Sequence, residues 1–171
     1  MMKFSTGLKL AAVASTLLLV ACTEKPKNVA SDQPPMASSN SSTTSSVIPG
    51  SAEDLKVNVG DTVHFDYDKY AVTDEDRGTL QRQSAWLQKY PSVRVTIEGH
   101  CDERGTREYN LALGARRANA VKEYLVSLGV SSGRVETISY GKERPMCTES
   151  DESCYAQNRR GVTTITSGAA S

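Results

Sequence analysis

The sequence predicts an α/β (α+β) domain in which helices pack on one face of a sheet. Val93, Val95 and Ile97 alternate with polar residues, which is the pattern of a half-buried strand. Apolar residues then recur at helical spacing over residues 111–128, and Gly129 follows as a helix-ending residue. Alternation of these two periods along one chain is typical of a domain with a sheet layer and a helix layer.

The remaining elements lie before and after this pair. A first helix is predicted from its N-cap Thr73, with acidic residues 74–76 in its first turn, to Tyr90, where Pro91 stops it. Strands are predicted at Val57 to Asp66 (with a break at Gly60-Asp61), Val135 to Tyr140 and Val162 to Thr166, and a short helix near Asp151 to Gln157. The predicted order is therefore β-α-β-α-β-(short α)-β.

Charge and composition narrow the function. Among 171 residues, 20 Lys and Arg balance 20 Asp and Glu, so the basic excess typical of nucleic-acid binders is missing. The sequence has two histidines, His64 and His100, which argues against a histidine-rich metal site. No run of roughly 18 apolar residues occurs, so a polytopic membrane protein is not expected.

The first segment is typical of an export signal, because Lys3 and Lys9 precede an uncharged run over residues 10–21. Its last residues, Leu19-Val20-Ala21-Cys22, resemble the lipobox of bacterial lipoproteins, which implies lipidation of Cys22. The residue after Cys22 is Thr23, whereas lipoproteins retained in the inner membrane usually have Asp there, and this implies transfer to the outer membrane. An ordinary signal peptide with a chance cysteine is the alternative.

The composition divides the chain into three predicted parts: a signal peptide at 1–21, a lipidated N-terminus and flexible tether at 22–55, and one domain at 56–171. Between Thr23 and Leu55 there are eight serines, four prolines and no aromatic residue. Such a segment buries too little apolar surface to offset the entropy lost on ordering, so we expect a flexible tether.

The densest polar stretch, residues 99–105, follows the strand around Val95. Asp102 in this stretch and Arg117 in the next helix are fifteen residues apart, a spacing that can place them on either side of a small cleft. Such a pair suits a zwitterionic amino-acid end, because the Asp102 carboxylate can bind the ligand's ammonium and the Arg117 guanidinium can bind the ligand's carboxylate in bidentate fashion. On spacing alone, a structural salt bridge between the two is at least as consistent.

Other kinds of site fit poorly. A calcium loop beginning at Asp66 lacks the Gly and the Glu that it needs at its sixth and twelfth positions. Residues 100–102 are consecutive, so their side chains would alternate between faces of a strand and not converge on one zinc ion. His100 is therefore predicted to be a packing or hydrogen-bonding residue, and no cofactor is expected.

The cysteines fit an exported protein. Cys147 and Cys154 lie seven residues apart in a polar loop, and we predict a disulfide between them in preference to a metal site. With Cys22 acylated, Cys101 is left as a lone thiol and is predicted to be a small buried hydrophobe.

At several motifs the sequence resembles a known family, the OmpA-like peptidoglycan-binding domain. The resemblance covers about Thr62 to Thr166 and lies in Gly99-His100-Cys101-Asp102-Glu103-Arg104-Gly105-Thr106, Glu108-Tyr109-Asn110-Leu111-Ala112-Leu113-Gly114, Arg116-Arg117-Ala118-Asn119-Ala120-Val121, Ser139-Tyr140-Gly141-Lys142-Glu143-Arg144-Pro145 and Asn158-Arg159-Arg160. It implies a mixed four-stranded sheet with helices on one face.

The resemblance also implies a ligand, the meso-diaminopimelate of the peptidoglycan stem peptide, whose free side-chain end is a zwitterion. Asp102 matches the family's ammonium-binding aspartate, Arg117 its carboxylate-binding arginine, and Asp68 a further polar contact. Cys101 stands where the family usually has Thr, so hydrogen bonding beside Asp102 could differ. Lipid-anchored members work with TolB and TolA, which link them to envelope constriction at cell division.

We therefore expect a non-enzymatic outer-membrane lipoprotein, with its domain in the periplasm, that binds peptidoglycan noncovalently and ties the membrane to the wall. One alternative is a wall-binding lipoprotein of the same family outside the Tol system. A less favoured alternative is a peptidoglycan-acting enzyme that uses Asp102 or Glu103 as acid and base, although an arginine beside Asp102 would lower its pKa.

Overall fold

The computed structural model describes residues 47–171, so the predicted signal peptide, Cys22 and most of the tether lie outside the described part. Within it, the strands are β1 (Thr62–His64), β2 (Arg94–His100), β3 (Val135–Gly141) and β4 (Arg160–Ser167), and the α-helices are α1 (Ala52–Asp54), α2 (Asp74–Lys89), α3 (Arg107–Ser127) and α4 (Glu152–Asn158). The strands form one sheet in the order β1-β4-β2-β3, with β2 parallel to β3 and β4 antiparallel to both β1 and β2. The predicted mixed four-stranded fold is confirmed.

The prediction was wrong at the start of the domain. Residues Leu55–Val59 form a π-helix that continues α1, and the strand begins only at Thr62. The helical turn is stabilised by Ser51, whose side chain accepts a hydrogen bond from the backbone of Asp54. Alternating Val57 and Val59 therefore do not form a strand, because local capping at Ser51 starts a helix just before them.

The same segment is anchored by Asp54 and Leu55, so packed structure begins before residue 56. The Asp54 carboxylate accepts hydrogen bonds from the Gly50 amide at 2.7 Å, from the Asn58 amide at 2.8 Å and from the Trp86 indole at 2.9 Å. These bonds hold the pKa of Asp54 below its ordinary value. Leu55 belongs to the hydrophobic core.

Helix α2 begins and ends where the sequence predicts, and α3 ends where it predicts but begins at Arg107, before the apolar spacing that starts at residue 111. The Thr73 side chain accepts a hydrogen bond from the Asp76 backbone at the start of α2, and Tyr90 is its C-cap. Gly129, after α3, has φ of 95°, the left-handed conformation that glycine adopts at little cost. No helix among residues 47–171 is long and apolar enough to cross a bilayer.

Helices α2 and α3 cover one face of the sheet, and the core lies between these two layers. Its most completely buried members include Leu80, Leu87, Ile97, Val121 and Leu125. Alternate residues of β2 face this core, in the alternating pattern from which the strand was predicted.

His100 is buried at the end of β2, next to Glu98 and Tyr140, and neither ring nitrogen has a hydrogen-bond partner among the described residues. Burial, together with the positive charges of Arg160 and Arg144, lowers the pKa of His100 to about 4. His100 is therefore neutral in the folded protein at neutral pH.

Acidification from pH 7 to pH 5 should consequently lower the free energy of unfolding by roughly 2 kcal/mol through His100. An unfolded histidine, with its ordinary pKa near 6.5, takes up a proton in this range while folded His100 does not. The contribution is complete above that pKa, is lost as the pH falls toward about 4, and is constant below it. Urea unfolding at the two pH values, compared between wild type, His100→Asn and the exposed control His64→Asn, measures it; equal pH dependence in all three would contradict it.

Candidate functional site

Three predicted site residues line a single cavity although they come from three different segments. Asp102 follows β2, Arg117 lies in the middle of α3, and Asp68 lies in the loop between β1 and α2. The cavity has a volume of about 160 Å³. Its lining consists of Tyr67, Asp68, Cys101, Asp102, Arg104, Gly105, Tyr109, Asn110, Leu113 and Arg117.

Arg117 is completely buried and held in one orientation by three backbone carbonyls. Its Nε donates to the carbonyl of Lys69 at 2.8 Å, one Nη to that of His100 at 2.8 Å, and the other Nη to that of Asp66 at 3.1 Å. Burial lowers the pKa of Arg117, but a guanidinium remains charged at any physiological pH. A guanidinium carries five N–H groups, so these three carbonyl bonds do not use all of its donors.

Asp102 is also buried, with 4% of its surface exposed. Its hydrogen-bond partners do not include Arg117. Its first carboxylate oxygen accepts from the Arg104 backbone at 3.1 Å and from Arg104 Nε at 3.2 Å. Its second oxygen accepts from Arg104 Nη2 at 2.6 Å and from Arg159 Nη1 at 3.5 Å. The ion pairs of Asp102 are thus with Arg104 and Arg159, and the salt bridge to Arg117 that spacing alone allowed is not formed.

The protonation state of Asp102 follows from these contacts. Burial raises the pKa of Asp102, but the side-chain and backbone hydrogen bonds of Arg104 and its positive charge outweigh that effect, so the pKa lies below its ordinary value. The carboxylate is therefore ionised at neutral pH, as binding to an ammonium group requires.

Arg104 is a second cation at the cavity wall, and no role was predicted for it from the sequence. Its guanidinium carbon lies 4.1 Å from the ring centre of Tyr67 and 4.3 Å from that of Tyr155. Its Nη1 is 3.4 Å from a carboxylate oxygen of Glu152. Its position two residues after Asp102 was the one available signal, since a side chain so close along the chain can fold back onto the carboxylate.

Asp68 has φ of 56°, an uncommon conformation for a residue other than glycine, and its carboxylate accepts a hydrogen bond from the Tyr109 hydroxyl. Tyr109 lies in the first turn of α3, so this bond joins the loop before α2 to the loop and helix after β2. Asp68 therefore forms part of the cavity's exposed rim, next to Tyr67.

The predicted disulfide between Cys147 and Cys154 is present, with the two Cα atoms 5.3 Å apart. It closes a loop that reaches the site, because Glu152 in this loop lies 3.4 Å from Nη1 of Arg104, and the Ser150 hydroxyl donates to the Glu103 carboxylate at 2.7 Å. Glu152, at the start of α4, forms an ion pair of 2.7 Å with Arg159. The disulfide loop therefore borders the Asp102 side of the cavity.

Cys101 is buried, as predicted, and is the free cysteine of the described residues. Its thiol donates to the carbonyl of Asn110 at 3.3 Å. Burial raises the pKa of the Cys101 thiol, so it stays protonated and unreactive at neutral pH. No group of three or more His, Cys, Asp or Glu side chains within residues 47–171 is arranged to hold a metal ion.

Two curated proteins of the same name are similar in sequence to this chain. The peptidoglycan-associated lipoprotein of Rhizobium meliloti (strain 1021) is 51% identical over 154 residues, which cover 90% of this chain and 85% of the relative. The protein of the same name from Mesorhizobium japonicum is 57% identical over 123 residues, which cover 72% of this chain and 73% of the relative.

Solved structures show the same fold. The peptidoglycan-associated lipoprotein from Burkholderia pseudomallei matches with a TM-score of 0.61 and 43% identity, covering 62% of this chain and 90% of that one. The C-terminal domain of Helicobacter pylori MotB matches with a TM-score of 0.59 and 22% identity, covering 63% and 84%, and shares the fold alone. A model of the OmpA family matches residues 64–159, more than half of the chain, and the protein therefore belongs to the OmpA family.

Proposed function

We propose that this protein binds peptidoglycan noncovalently, by holding the zwitterionic side-chain end of meso-diaminopimelate between Asp102 and Arg117. The observation that carries the proposal is that an ionised carboxylate and a guanidinium held in a fixed orientation line the same cavity. The ligand's carboxylate pairs with Arg117 and its ammonium with Asp102, while Asp68 contacts the ligand at the rim. The small volume suits one amino-acid end and leaves the glycan chain outside.

The relatives are named peptidoglycan-associated lipoproteins, which supports binding to peptidoglycan and a lipid anchor. We infer that Cys22 carries the lipid and that the following residues span from the outer membrane to the wall, with the domain in the periplasm. Acyl chains hold such an anchor because each buried CH₂ contributes about 0.8 kcal/mol. Fractionation of cells that carry Cys22→Ser tests the anchor: the protein should leave the membrane fraction, and retention there would refute lipidation.

We further propose a role in the Tol-Pal system, which supports envelope integrity and constriction at cell division, with TolB and TolA as partners. The family's lipid-anchored members are the basis of this step. Purification of the tagged full chain from its own cells tests it, since TolB should be recovered with it; recovery of peptidoglycan fragments without TolB would favour a wall-binding lipoprotein outside this system.

A peptidoglycan-acting enzyme is the weaker candidate, because a general acid at neutral pH needs a raised pKa. Hydrogen bonds from Ser150 and Tyr155 lower the pKa of Glu103, and that of Asp102 is lowered as well. Incubation with purified sacculi separates the two functions. The protein should sediment with the sacculi and release no soluble fragments; steady release of fragments would establish the enzyme.

A further inference from the structure

The carboxylate of Asp102 accepts four hydrogen bonds from groups of the protein itself. A carboxylate offers about four acceptor positions. Arg104 supplies three of the donors, from its backbone, Nε and Nη2, and Arg159 supplies the fourth. An ammonium that binds Asp102 must therefore displace one of these donors.

The cavity determines which arginine is displaced. Arg104 lines the cavity together with Asp102 and Arg117. Arg159 lines a different cavity, beside His64 and Phe65, and its Nε donates to the Phe65 carbonyl at 2.9 Å. A ligand that enters beside Arg117 consequently approaches Asp102 from the side that Arg104 covers.

We propose that the Arg104 guanidinium is a displaceable plug on Asp102, which the ammonium of the ligand replaces when it binds. This inference rests on the proposed function of the Asp102 and Arg117 pair. The plug keeps the buried carboxylate paired until the ligand binds, since an unpaired buried charge is costly. It also makes the site selective, because a ligand without a free ammonium has no cation to exchange for the guanidinium.

The surroundings of Arg104 provide a place for the displaced guanidinium. One-third of its side chain is exposed, so it has room to move. Glu152 is already 3.4 Å from its Nη1 and offers a second carboxylate. The rings of Tyr67 and Tyr155 lie on either side, and stacking on a ring face tolerates a slide within the ring plane. The guanidinium thus moves from Asp102 toward Glu152 without leaving the two rings.

Binding of two soluble stem peptides tests the plug, one with the free meso-diaminopimelate end and one with its side-chain amine acetylated. Calorimetry uses the full exported chain, carrying Cys22→Ser for solubility in every sample. Arg104→Gln should bind the free peptide roughly fivefold more tightly than wild type, the change in Kd that corresponds to about 1 kcal/mol. It should not bind the acetylated peptide more tightly. Glu152→Gln should weaken binding of the free peptide, because the displaced guanidinium loses its second carboxylate.

Two controls separate failure of the plug from failure of the binding site. Arg107→Gln removes an exposed arginine that pairs with Glu143, and should leave both affinities unchanged. Arg117→Lys should abolish most of the binding of the free peptide. If Arg117→Lys no longer binds the free peptide while Arg104→Gln binds it no better than wild type, the plug is refuted and the proposed binding site is supported. If Arg104→Gln shifts both peptides equally, Arg104 is only a structural residue; if Arg117→Lys binds like wild type, the proposed function fails.

Discussion

Arg117→Lys and Asp102→Asn should each abolish most of the binding to purified sacculi, with a loss of about 2–5 kcal/mol, or at least roughly thirtyfold in Kd. Lysine keeps the positive charge at 117 but has neither the planar fork nor enough donors to bond three carbonyls and a ligand carboxylate. Asparagine keeps the shape of Asp102 and removes the charge that the ligand's ammonium needs. Asp102→Asn leaves the ligand's ammonium without an opposite charge, and Arg117→Lys deprives the ligand's carboxylate of bidentate hydrogen bonds.

The neighbouring residues provide matched controls for this prediction. Arg116→Lys makes the same change one residue earlier, at an exposed arginine that lies 5.5 Å from the Tyr70 ring centre. Glu103→Gln removes an exposed carboxylate next to Asp102. Both controls should sediment with sacculi like wild type, and circular dichroism should show all four variants folded. If Arg117→Lys and Arg116→Lys bind equally well, Arg117 is a structural residue that fixes the loop carbonyls and does not contact the wall.

Gly99→Ala should lower the free energy of unfolding by at least about 3 kcal/mol, because the added methyl group has no space. A Cβ at Gly99 would lie 1.9 Å from the carbonyl oxygen of Gly114, which is backbone and cannot rotate away. Strand β2 and helix α3 would have to separate. Urea unfolding measures the loss.

The same substitution elsewhere in the chain provides the control. Gly78 lies in α2, and a Cβ there would approach nothing nearer than 3.8 Å. Gly78→Ala should therefore stabilise the protein by about 0.5–1 kcal/mol, since alanine is the better helix residue. A small loss for Gly99→Ala, of the size typical of surface changes, would show that the two backbones are not held at this distance.

The contact between Gly99 and Gly114 also affects ligand binding, because it sets the distance between Asp102 and Arg117. Gly99 is three residues before Asp102, and Gly114 is three residues before Arg117. Close approach of β2 and α3 at the glycines brings the strand exit and the helix face together, so that both charged groups line one small cavity. Any variant of Gly99 that folds should bind sacculi less tightly than wild type.

Local sequence signals predicted much of the fold correctly. The N-cap Thr73, the stop at Pro91 and Gly129 after α3 act within a few residues, so the sequence alone reveals them. The strand predicted at Val57 failed because two periods compete there. The alternation of Val57 and Val59 favours a strand, while the cap at Ser51 and the carboxylate of Asp54 stabilise a helix.

The candidate site was only partly predictable for a different reason. Asp68, Asp102 and Arg117 could be named from motifs, and they do line one cavity. The occupation of Asp102 by Arg104 depends on Tyr155 and Glu152, which come from the end of the chain and reach the site only in the folded domain. No periodicity or spacing reveals a contact between residues about fifty positions apart.

The most direct test of the proposed binding of the zwitterion by Asp102 and Arg117 changes the ligand and leaves the protein intact. Purified sacculi are treated with acetic anhydride, which removes the positive charge of their free amines, and are compared with mock-treated sacculi in sedimentation with the full chain carrying Cys22→Ser. We expect the protein to sediment with the mock-treated sacculi and to remain in solution with the acetylated ones, because Asp102 then has no ammonium to bind. Equal sedimentation with both would contradict the account, since the wall would be held without the zwitterion.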